Sequence, residues 1–170
     1  GNDTIEGGFD IDILRGGGGN DWLDGGEGRD TIYGGAGDDT IASDYGSGSD
    51  LIFGEAGDDL IEVYNGMVAN GGDGDDKLLR GTGANGQYTL TGGTGSDVFD
   101  LEWGSLAVIT DFKAGEDRLT GTAASLKSVS LEGTSYQHFV GYEGISYNGY
   151  SIIAVISGIG SAQAAIDSMS

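Results

Sequence analysis

A nine-residue pattern, G-G-x-G-x-D-x-U-x with U a large apolar side chain, recurs through the first hundred residues of this chain. Complete copies begin at Gly16, Gly25, Gly34, Gly71 and Gly92. Looser copies read GNDTIE, GGFDIDILR, YGSGSDLIF and GEAGDDLIE. Nine copies at a nearly fixed period do not arise by chance, so an internal repeat must build the fold.

Each part of the repeat favours one kind of local structure. The glycines permit positive φ and close backbone approach, so G-G-x-G-x-D predicts a turn whose carbonyl groups converge. The residues after the Asp favour a short strand, and one U per nine residues is too sparse for an amphipathic helix. The U residues are Ile5, Leu14, Leu23, Ile32, Ile41, Ile52, Ile61, Leu78 and Phe99. They can form a core only by stacking, with two repeats per coil and strands in two facing parallel sheets.

The spacing of the aspartates then predicts a metal. Turns eighteen residues apart lie above one another, so their carboxylates face the same gap. The aligned groups are Asp3, Asp21 and Asp39 on one edge and Asp12, Asp30 and, after a two-residue insertion, Asp50 on the other. Stacked carboxylates repel unless a cation lies between them, and carboxylate and carbonyl oxygens suit Ca²⁺ better than the rigid octahedron of Mg²⁺. The chain has no Cys and a single His, so a zinc or copper site is not indicated.

Composition narrows the possible partners. The net charge is -21, and most of it lies in residues 1–100, with 21 acidic against 4 basic groups. No basic face is left to hold phosphates, which argues against nucleic acid and anionic membranes. The absence of Pro and the 37% hydrophobic content argue against a disordered linker. The longest aliphatic run, Ile152 to Ile156, is too short to span a membrane. No signal peptide is visible, and the start inside a repeat leads us to expect an upstream domain of the same parent chain.

With these motifs, residues 1–119 resemble the RTX repeat family, whose glycine- and aspartate-rich nonapeptides form calcium-bound parallel β-rolls in bacterial proteins exported by type I secretion. The resemblance implies an all-β fold: a right-handed parallel β-roll over residues 1–100 and a C-terminal antiparallel β cap over residues 101–170. In the family, one ion is held by carbonyls of the second and fourth positions and the Asp of one turn. Carbonyls of the first and third positions and the Asp of the turn two repeats later complete the site.

Carried over residue by residue, this scheme implies the following metal ligands. Gly17, Gly19 and Asp21 share an ion with Gly34, Ala36 and Asp39; Gly35, Gly37 and Asp39 share one with Gly54, Ala56 and Asp59. On the opposite edge, Gly8, Asp10 and Asp12 meet Gly25, Glu27 and Asp30, and Gly26, Gly28 and Asp30 meet Tyr45, Ser47 and Asp50. Donors in the later turns are Gly57, Gly71, Gly72, Asp73, Gly74, Asp76, Gly92, Thr94 and Asp97. The total expected is about five to seven Ca²⁺ ions.

The register of residues 63–91 is open to two interpretations. Residues 63–70 are nearly one rung long, and we favour a degenerate rung with Val68 in the U position. Asp59, Asp76 and Asp97 then stay on one edge, while the other edge loses its sites, with Asn65 and Asn85 as the nearest substitutes. A surface loop would instead pair Asp50 with Asp76.

Downstream, the segment VITDFKAGEDRL resembles the one that follows the last repeat in RTX proteins and covers the open end of the roll. Asp111 and Asp117 there either bind a further ion or cap a turn. Strands are predicted over residues 128–131, 136–142, 145–147 and 150–156, with an Asn148-Gly149 hairpin turn, and a short helix over residues 161–168. The cap includes a possible secretion signal.

Catalysis is not indicated by any motif. His138 has no nucleophile motif around it, and GTGANG at Gly81 lies inside the β repeat without a following helix. Trp22 and Tyr33 flank U positions and are predicted on the exterior of the roll. The tyrosines of the cap either pack across strands or stack on sugar rings; they are Tyr136, Tyr142, Tyr147 and Tyr150.

The sequence therefore predicts a calcium-binding domain without enzymatic activity of its own. By family resemblance, it would fold on meeting extracellular Ca²⁺, use the type I secretion machinery as a partner and be secreted, extracellular or at the cell surface. The parent protein would be a hydrolase, epimerase or toxin. The alternative is a substrate- or glycan-binding module of a secreted polysaccharide-modifying enzyme or adhesin.

Overall fold

The computed structural model describes residues 1–43, 49–81, 87–101, 106–113, 116–120, 126–130, 138–142 and 151–156. These residues form sixteen strands. They are β1 (Thr4–Phe9), β2 (Ile13–Gly18), β3 (Trp22–Glu27), β4 (Thr31–Ala36), β5 (Thr40–Ala42), β6 (Leu51–Ala56), β7 (Leu60–Val63), β8 (Val68–Asp73), β9 (Lys77–Arg80), β10 (Gln87–Thr94), β11 (Val98–Asp100), β12 (Leu106–Ile109), β13 (Arg118–Thr120), β14 (Leu126–Ser130), β15 (His138–Tyr142) and β16 (Ser151–Ile156).

Successive strands alternate between two sheets. The odd-numbered strands from β1 to β13 form a seven-stranded sheet in chain order. The even-numbered strands from β2 to β12 form one side of a nine-stranded sheet, which β16, β15 and β14 extend beyond β12. Neighbouring strands of the repeat region pair in parallel in both sheets. The predicted all-β fold, with two repeats per coil and two facing parallel sheets, is confirmed.

The U side chains form the core between the sheets. Their register is in phase, so that Leu23 pairs with Ile41, and Ile32 with Ile52. Eight of the nine predicted U residues are buried, and Ile5, in the first strand, is partly buried against them. The core continues beyond the predicted set through Ala69, Leu90, Ile109 and Leu119, which take the same place in later rungs.

Residues 63–70 form a rung and not a loop, because β8 pairs with β6 on one side and β10 on the other. The assignment of Val68 to the U position was wrong. Ala69 pairs with Ile52 and is fully buried, whereas Val68 is 41% exposed. The strand register places the small Ala69 in the core and the larger Val68 on the outer face.

Beyond residue 100, β12 and β13 continue the parallel pairing of both sheets up to Thr120. Next, β16 adds to β12 in parallel, and β15 pairs antiparallel with both β16 and β14. Antiparallel strands were predicted in this part of the sequence. The predicted strand at residues 145–147, the Asn148-Gly149 turn and the helix at residues 161–168 lie outside the described residues.

Aromatic side chains lie on the outer surface of the roll, as predicted for Trp22, which is 37% exposed. On the nine-stranded sheet, Tyr33 stacks on Phe53 with ring centroids 5.2 Å apart, and the Arg15 guanidinium lies 4.1 Å above the Tyr33 ring. Among the described residues no helix is long and apolar enough to cross a membrane.

Candidate metal sites

One edge of the roll carries a continuous column of seven aspartates, which we call the long ladder. Its members are Asp3, Asp21, Asp39, Asp59, Asp76, Asp97 and Asp117. The main-chain N–H of each donates to Oδ1 of the next, at 2.7–3.1 Å. Each aspartate lies two residues before a core side chain, so the stacking of the U residues aligns the carboxylates.

The opposite edge carries a short ladder of Asp12, Asp30 and Asp50, joined by the same bonds at 2.8 Å. Beyond Asp50 the same position is taken by Met67, Tyr88 and Ala107, all buried. The expected loss of acidic residues on this edge is therefore observed. The residues in these places are apolar, however, and do not include Asn65; Asn85 lies outside the described residues. The alternative pairing of Asp50 with Asp76 is wrong, because Asp76 lies between Asp59 and Asp97 on the long ladder.

The second oxygen of these carboxylates has no hydrogen-bond partner among the described residues. This holds for Oδ2 of Asp12, Asp21, Asp30, Asp39, Asp59, Asp76 and Asp97. Buried polar atoms are almost always satisfied in folded proteins, and unsatisfied charged ones are especially costly. The same unpaired oxygen recurs at seven repeat aspartates, so this position is suited to receive a positively charged group.

The first glycine of each turn leaves room beside that oxygen. A methyl group added at Gly16 would lie within 3.0 Å of both Asp21 Oδ2 and the Gly34 carbonyl oxygen. The φ of Gly16 is not in the left-handed region, so glycine is needed here for space. The same pair of oxygens, from the turn's own Asp and the next turn's first glycine, surrounds Gly7, Gly34, Gly54 and Gly71. The carbonyls concerned are those of Gly25, Gly34, Gly54, Gly71 and Gly92, all expected as ligands.

The second and fourth glycines are needed for backbone conformation. Nearly all of those described have positive φ, and Glu55 and Asp10, which replace glycines there, adopt φ of 78° and 85°. The carbonyls of these positions face the next turn on the same edge; they belong to Gly8, Asp10, Gly17, Gly19, Gly37, Gly57, Gly72 and Gly74. The third-position carbonyls of Ala36, Ala56, Asp73 and Thr94 each accept a main-chain N–H, which leaves one lone pair per carbonyl. Glu27 pairs with Phe9 in the same third position on the short ladder's edge. Tyr45 and Ser47 lie outside the described residues.

Burial disfavours the charged form of the ladder carboxylates. It raises the pKa of Asp76 to about 7, and the pKa values of Asp59 and Asp97 to about 6, with neighbouring carboxylates adding to the effect. Burial also raises the pKa of Asp30, Asp39 and Asp117. Hydrogen bonds from the main chain oppose these shifts without cancelling them. A positive charge beside these carboxylates would therefore favour their ionised form.

The long ladder ends differently from its other rungs. Oδ2 of Asp117 accepts the main-chain N–H of Lys113 at 2.7 Å, so this carboxylate is satisfied on both oxygens. The Lys113 ammonium donates to the Gly93 carbonyl at 2.9 Å, and Asp111 accepts the N–H groups of Gly92 and Gly93. These contacts agree with the capping interpretation of Asp111 and Asp117.

Comparison with known families identifies this repeat. The profile of the RTX calcium-binding nonapeptide repeat matches four copies, at residues 1–32, 15–44, 45–66 and 89–105. The repeat region belongs to the RTX family. The matched segments contain six of the seven orphaned carboxylate oxygens described above, all but that of Asp76.

Solved structures give weaker similarities. A subunit (AlgE6R3) of a mannuronan C5-epimerase from Azotobacter vinelandii is 24% identical with a TM-score of 0.37; the alignment covers 96% of this chain and 80% of that one. The extracellular lipase LipA from Serratia marcescens is 15% identical with a TM-score of 0.35, over 89% of this chain and 37% of that one. No curated protein sequence matches the chain.

The RTX ladders fit a hard cation. The described residues contain no group of three His, Cys, Asp or Glu side chains able to hold a metal, so carboxylates alone do not form a site. At five of the turns, the gap instead combines a buried, unpaired carboxylate oxygen with a main-chain carbonyl oxygen. An all-oxygen set that mixes carboxylates and carbonyls is the coordination that Ca²⁺ accepts.

One polar residue of the turns was missed by the sequence analysis. Ser43 is fully buried and its Oγ has no partner among the described residues. It follows Ala42, which pairs with Asp24, so it lies beside Gly25 in the place of a turn's first glycine. The repeat pattern assigns that place a main-chain ligand and no side chain.

Proposed function

We propose that this chain is a calcium-binding RTX β-roll that folds when it meets extracellular Ca²⁺ and so supports the type I secretion and stability of a larger secreted protein. One observation carries the proposal. Seven buried carboxylate oxygens lack any partner among the described residues, and at five of the turns a main-chain carbonyl oxygen faces the same small space.

The chain's own residues make folding depend on charge neutralisation. Residues 1–100 have 21 acidic and 4 basic groups, so their net charge is -17, and the fold stacks many of these acids in two columns. Glycine adds to the entropy that ordering must overcome. A bound Ca²⁺ supplies two positive charges and takes six to eight oxygen ligands. The aspartates and turn carbonyls would hold it between successive rungs.

The expected size of this effect matches a folding switch. Extracellular calcium modules bind with Kd on the order of 10⁻⁴–10⁻³ M. At about ten times Kd, each site stabilises the fold by about 1.4 kcal/mol, and at a tenth of Kd it contributes almost nothing. Several sites together therefore span the ordinary stability of a domain, roughly 5–15 kcal/mol.

In this proposal the chain stays unfolded in a calcium-poor cytosol, crosses the export channel and folds outside. RTX membership supports the export route, and the acidic, cysteine-free composition is compatible with it. We assign no catalytic activity to this chain and propose that any such activity belongs to another part of the parent protein.

Far-UV circular dichroism of calcium-free protein, titrated with Ca²⁺, tests the proposal. We expect little β structure without the metal, a cooperative rise upon addition and reversal by a chelator. Mg²⁺ at equal concentration is the control and should produce a much smaller change. A chain that is fully β-structured in excess chelator at pH 7.5 would contradict calcium-coupled folding.

A further inference from the structure

The connection between β5 and β6 has two more residues than the regular connection of the repeat, yet the rungs on either side stay in register. Ile32 of β4 still pairs with Ile52 of β6, and the N–H of Asp30 still donates to Oδ1 of Asp50 at 2.8 Å. The extra length is therefore absorbed between Ala42 and Asp50. Ser43 directly follows Ala42, and because Ala42 pairs with Asp24, Ser43 lies beside Gly25.

Five turns of the roll line this gap in the same way, and at Gly92 all three nearest atoms belong to Asp97. At five first-position glycines, an added methyl group would meet Oδ2 of the turn's own Asp and the carbonyl oxygen of the first glycine two repeats later. Gly25 is different. A methyl group there would lie 2.7 Å from Asp30 Oδ2 and 2.7 Å from Ser43 Oγ, with no carbonyl oxygen among the three nearest atoms. The hydroxyl takes the place of the carbonyl.

The state of the hydroxyl supports a ligand role. Ser43 is 0% exposed, and its Oγ has no hydrogen-bond partner among the described residues. A buried serine hydroxyl normally finds an acceptor or donor. Its orphaned state matches that of Asp30 Oδ2 across the same small space. Both oxygens would be satisfied together by one cation.

We infer that the Ser43 hydroxyl is a calcium ligand in the site between Asp30 and Asp50. The inference rests on the proposed calcium function and goes beyond the ligands that the repeat pattern supplies. A neutral hydroxyl oxygen preserves the charge of the site, as the carbonyl would. The two-residue insertion is thus compatible with an intact short ladder.

The test uses Ser43→Ala and Ser43→Cys in the full chain, with Ser96→Ala and Ser96→Cys as matched controls, because Ser96 is an exposed turn serine. Calcium binding is measured by isothermal titration and equilibrium dialysis. Ser43→Ala should lose one ion or bind it at least tenfold more weakly, and Ser96→Ala should match the wild type. An unchanged number of ions and unchanged affinities in Ser43→Ala would overturn the inference.

Ser43→Cys gives a readout that does not depend on the alanine variant folding. The chain contains no other cysteine, so the new thiol is unique. Sulfur is a poor ligand for Ca²⁺ and a good one for soft Cd²⁺. We expect Ser43→Cys, with Ca²⁺ in its other sites, to bind one Cd²⁺ and show a thiolate-to-cadmium ultraviolet band that Ser96→Cys lacks.

Equal cadmium spectra for the two cysteine variants would overturn the ligand role while leaving calcium binding by the roll intact. Absence of calcium binding in the wild type would instead overturn the proposed function together with this inference. The two failures are therefore distinguishable in one set of titrations.

Discussion

Asp39 borders two gaps of the long ladder. Its Oδ1 accepts the N–H of Asp21, and its own N–H donates to Asp59, while Oδ2 is buried without a partner among the described residues. Its neighbour Asp38 has the same charge but points outward and is exposed. Adjacent aspartates thus have different roles, which a pair of isosteric substitutions can separate.

We predict that Asp39→Asn has opposite effects with and without calcium. Burial raises the pKa of Asp39, so a neutral amide should stabilise the metal-free roll. In calcium, the same change should weaken two sites, each by about tenfold or more, or ~1.4 kcal/mol. Asp38→Asn is the control and should change calcium affinity little. Calorimetric titration measures the affinities, and urea unfolding measures the stability. Equal effects of both variants would contradict the ladder geometry.

Gly16 and Gly18 belong to the same turn but differ in the space around them. A methyl group at Gly16 would collide with Asp21 Oδ2 and the Gly34 carbonyl, whereas one at Gly18 would meet nothing within 4 Å. We expect Gly16→Ala to remove one calcium site and cost about 1–3 kcal/mol through overpacking. Gly18→Ala should stay within about 0.5 kcal/mol of the wild type. Equilibrium dialysis measures the number of bound ions. Equal numbers in both variants would show that the space beside Gly16 does not hold an ion.

At the scale of elements, the two edges of the roll are stabilised differently. The long ladder stays acidic through every described rung, whereas the short ladder changes after Asp50 to Met67, Tyr88 and Ala107. Apolar stacking needs no counterion. If the ladders bind calcium as proposed, the rungs built on β8, β10 and β12 depend on it along one edge only.

A matched pair at the start of β8 tests this difference. Met67 is 2% exposed and its sulfur accepts the N–H of Tyr64, while the adjacent Val68 is 41% exposed. We expect Met67→Ala to lower the free energy of unfolding in saturating calcium by about 2–5 kcal/mol. Val68→Ala should stay within about 0.5 kcal/mol. The number of bound ions should be unchanged in both. A lost ion in Met67→Ala would show that this edge carries a site after all.

The same elements show what the sequence can predict. Asp59, Asp76 and Asp97 were placed on one edge correctly because a rung needs a core residue every eighteen or so positions, and residues 63–70 supply one. Val68 was chosen for the core on size, but the register is fixed by the whole strand. The main-chain pairing of β8 with β6 places Ala69 inward instead.

Ser43 escaped prediction for a different reason. It lies in the place of a first glycine, where the repeat pattern offers a main-chain carbonyl as ligand and no side chain. The repeat motif describes only those turns whose sequence matches it. It therefore predicts ligands only where the spacing is regular. The last turn shows the same limit, because Asp117 continues the long ladder although Phe112 and Lys113 replace its glycines.

At the scale of the whole molecule, the ladders couple folding to protons as well as to calcium. Asp76 faces Asp59, Asp97 and Asp58, and burial with this repulsion raises its pKa to about 7. Asp59 and Asp97 have pKa values of about 6 for the same reasons. In an unfolded chain an Asp titrates near 3.9. Between pH 4 and 7 the metal-free fold therefore binds more protons than the unfolded chain.

The sign of the pH dependence follows directly. Stability falls with rising pH wherever the folded state holds more protons, so the metal-free roll should be most stable near pH 4 and lose that stability through pH 6–7. Calcium binds the ionised carboxylates, so its affinity should rise with pH. Its binding near pH 6 should therefore release protons. The two ligands of the ladder, proton and metal, thus compete for the same oxygens.

Circular dichroism of metal-stripped protein at pH 5 and pH 8 measures the first effect, and calcium titration in buffers of different ionisation enthalpy measures the second. We expect more β structure at pH 5 than at pH 8 without calcium, and the opposite order of calcium affinity. Asp76→Asn should flatten both dependences because its pKa is raised further than those of Asp59 and Asp97. Asp75→Asn, at its exposed neighbour, should leave both as in the wild type. A metal-free roll that gains stability between pH 5 and pH 8 would contradict a fold built on buried carboxylates in need of a counterion.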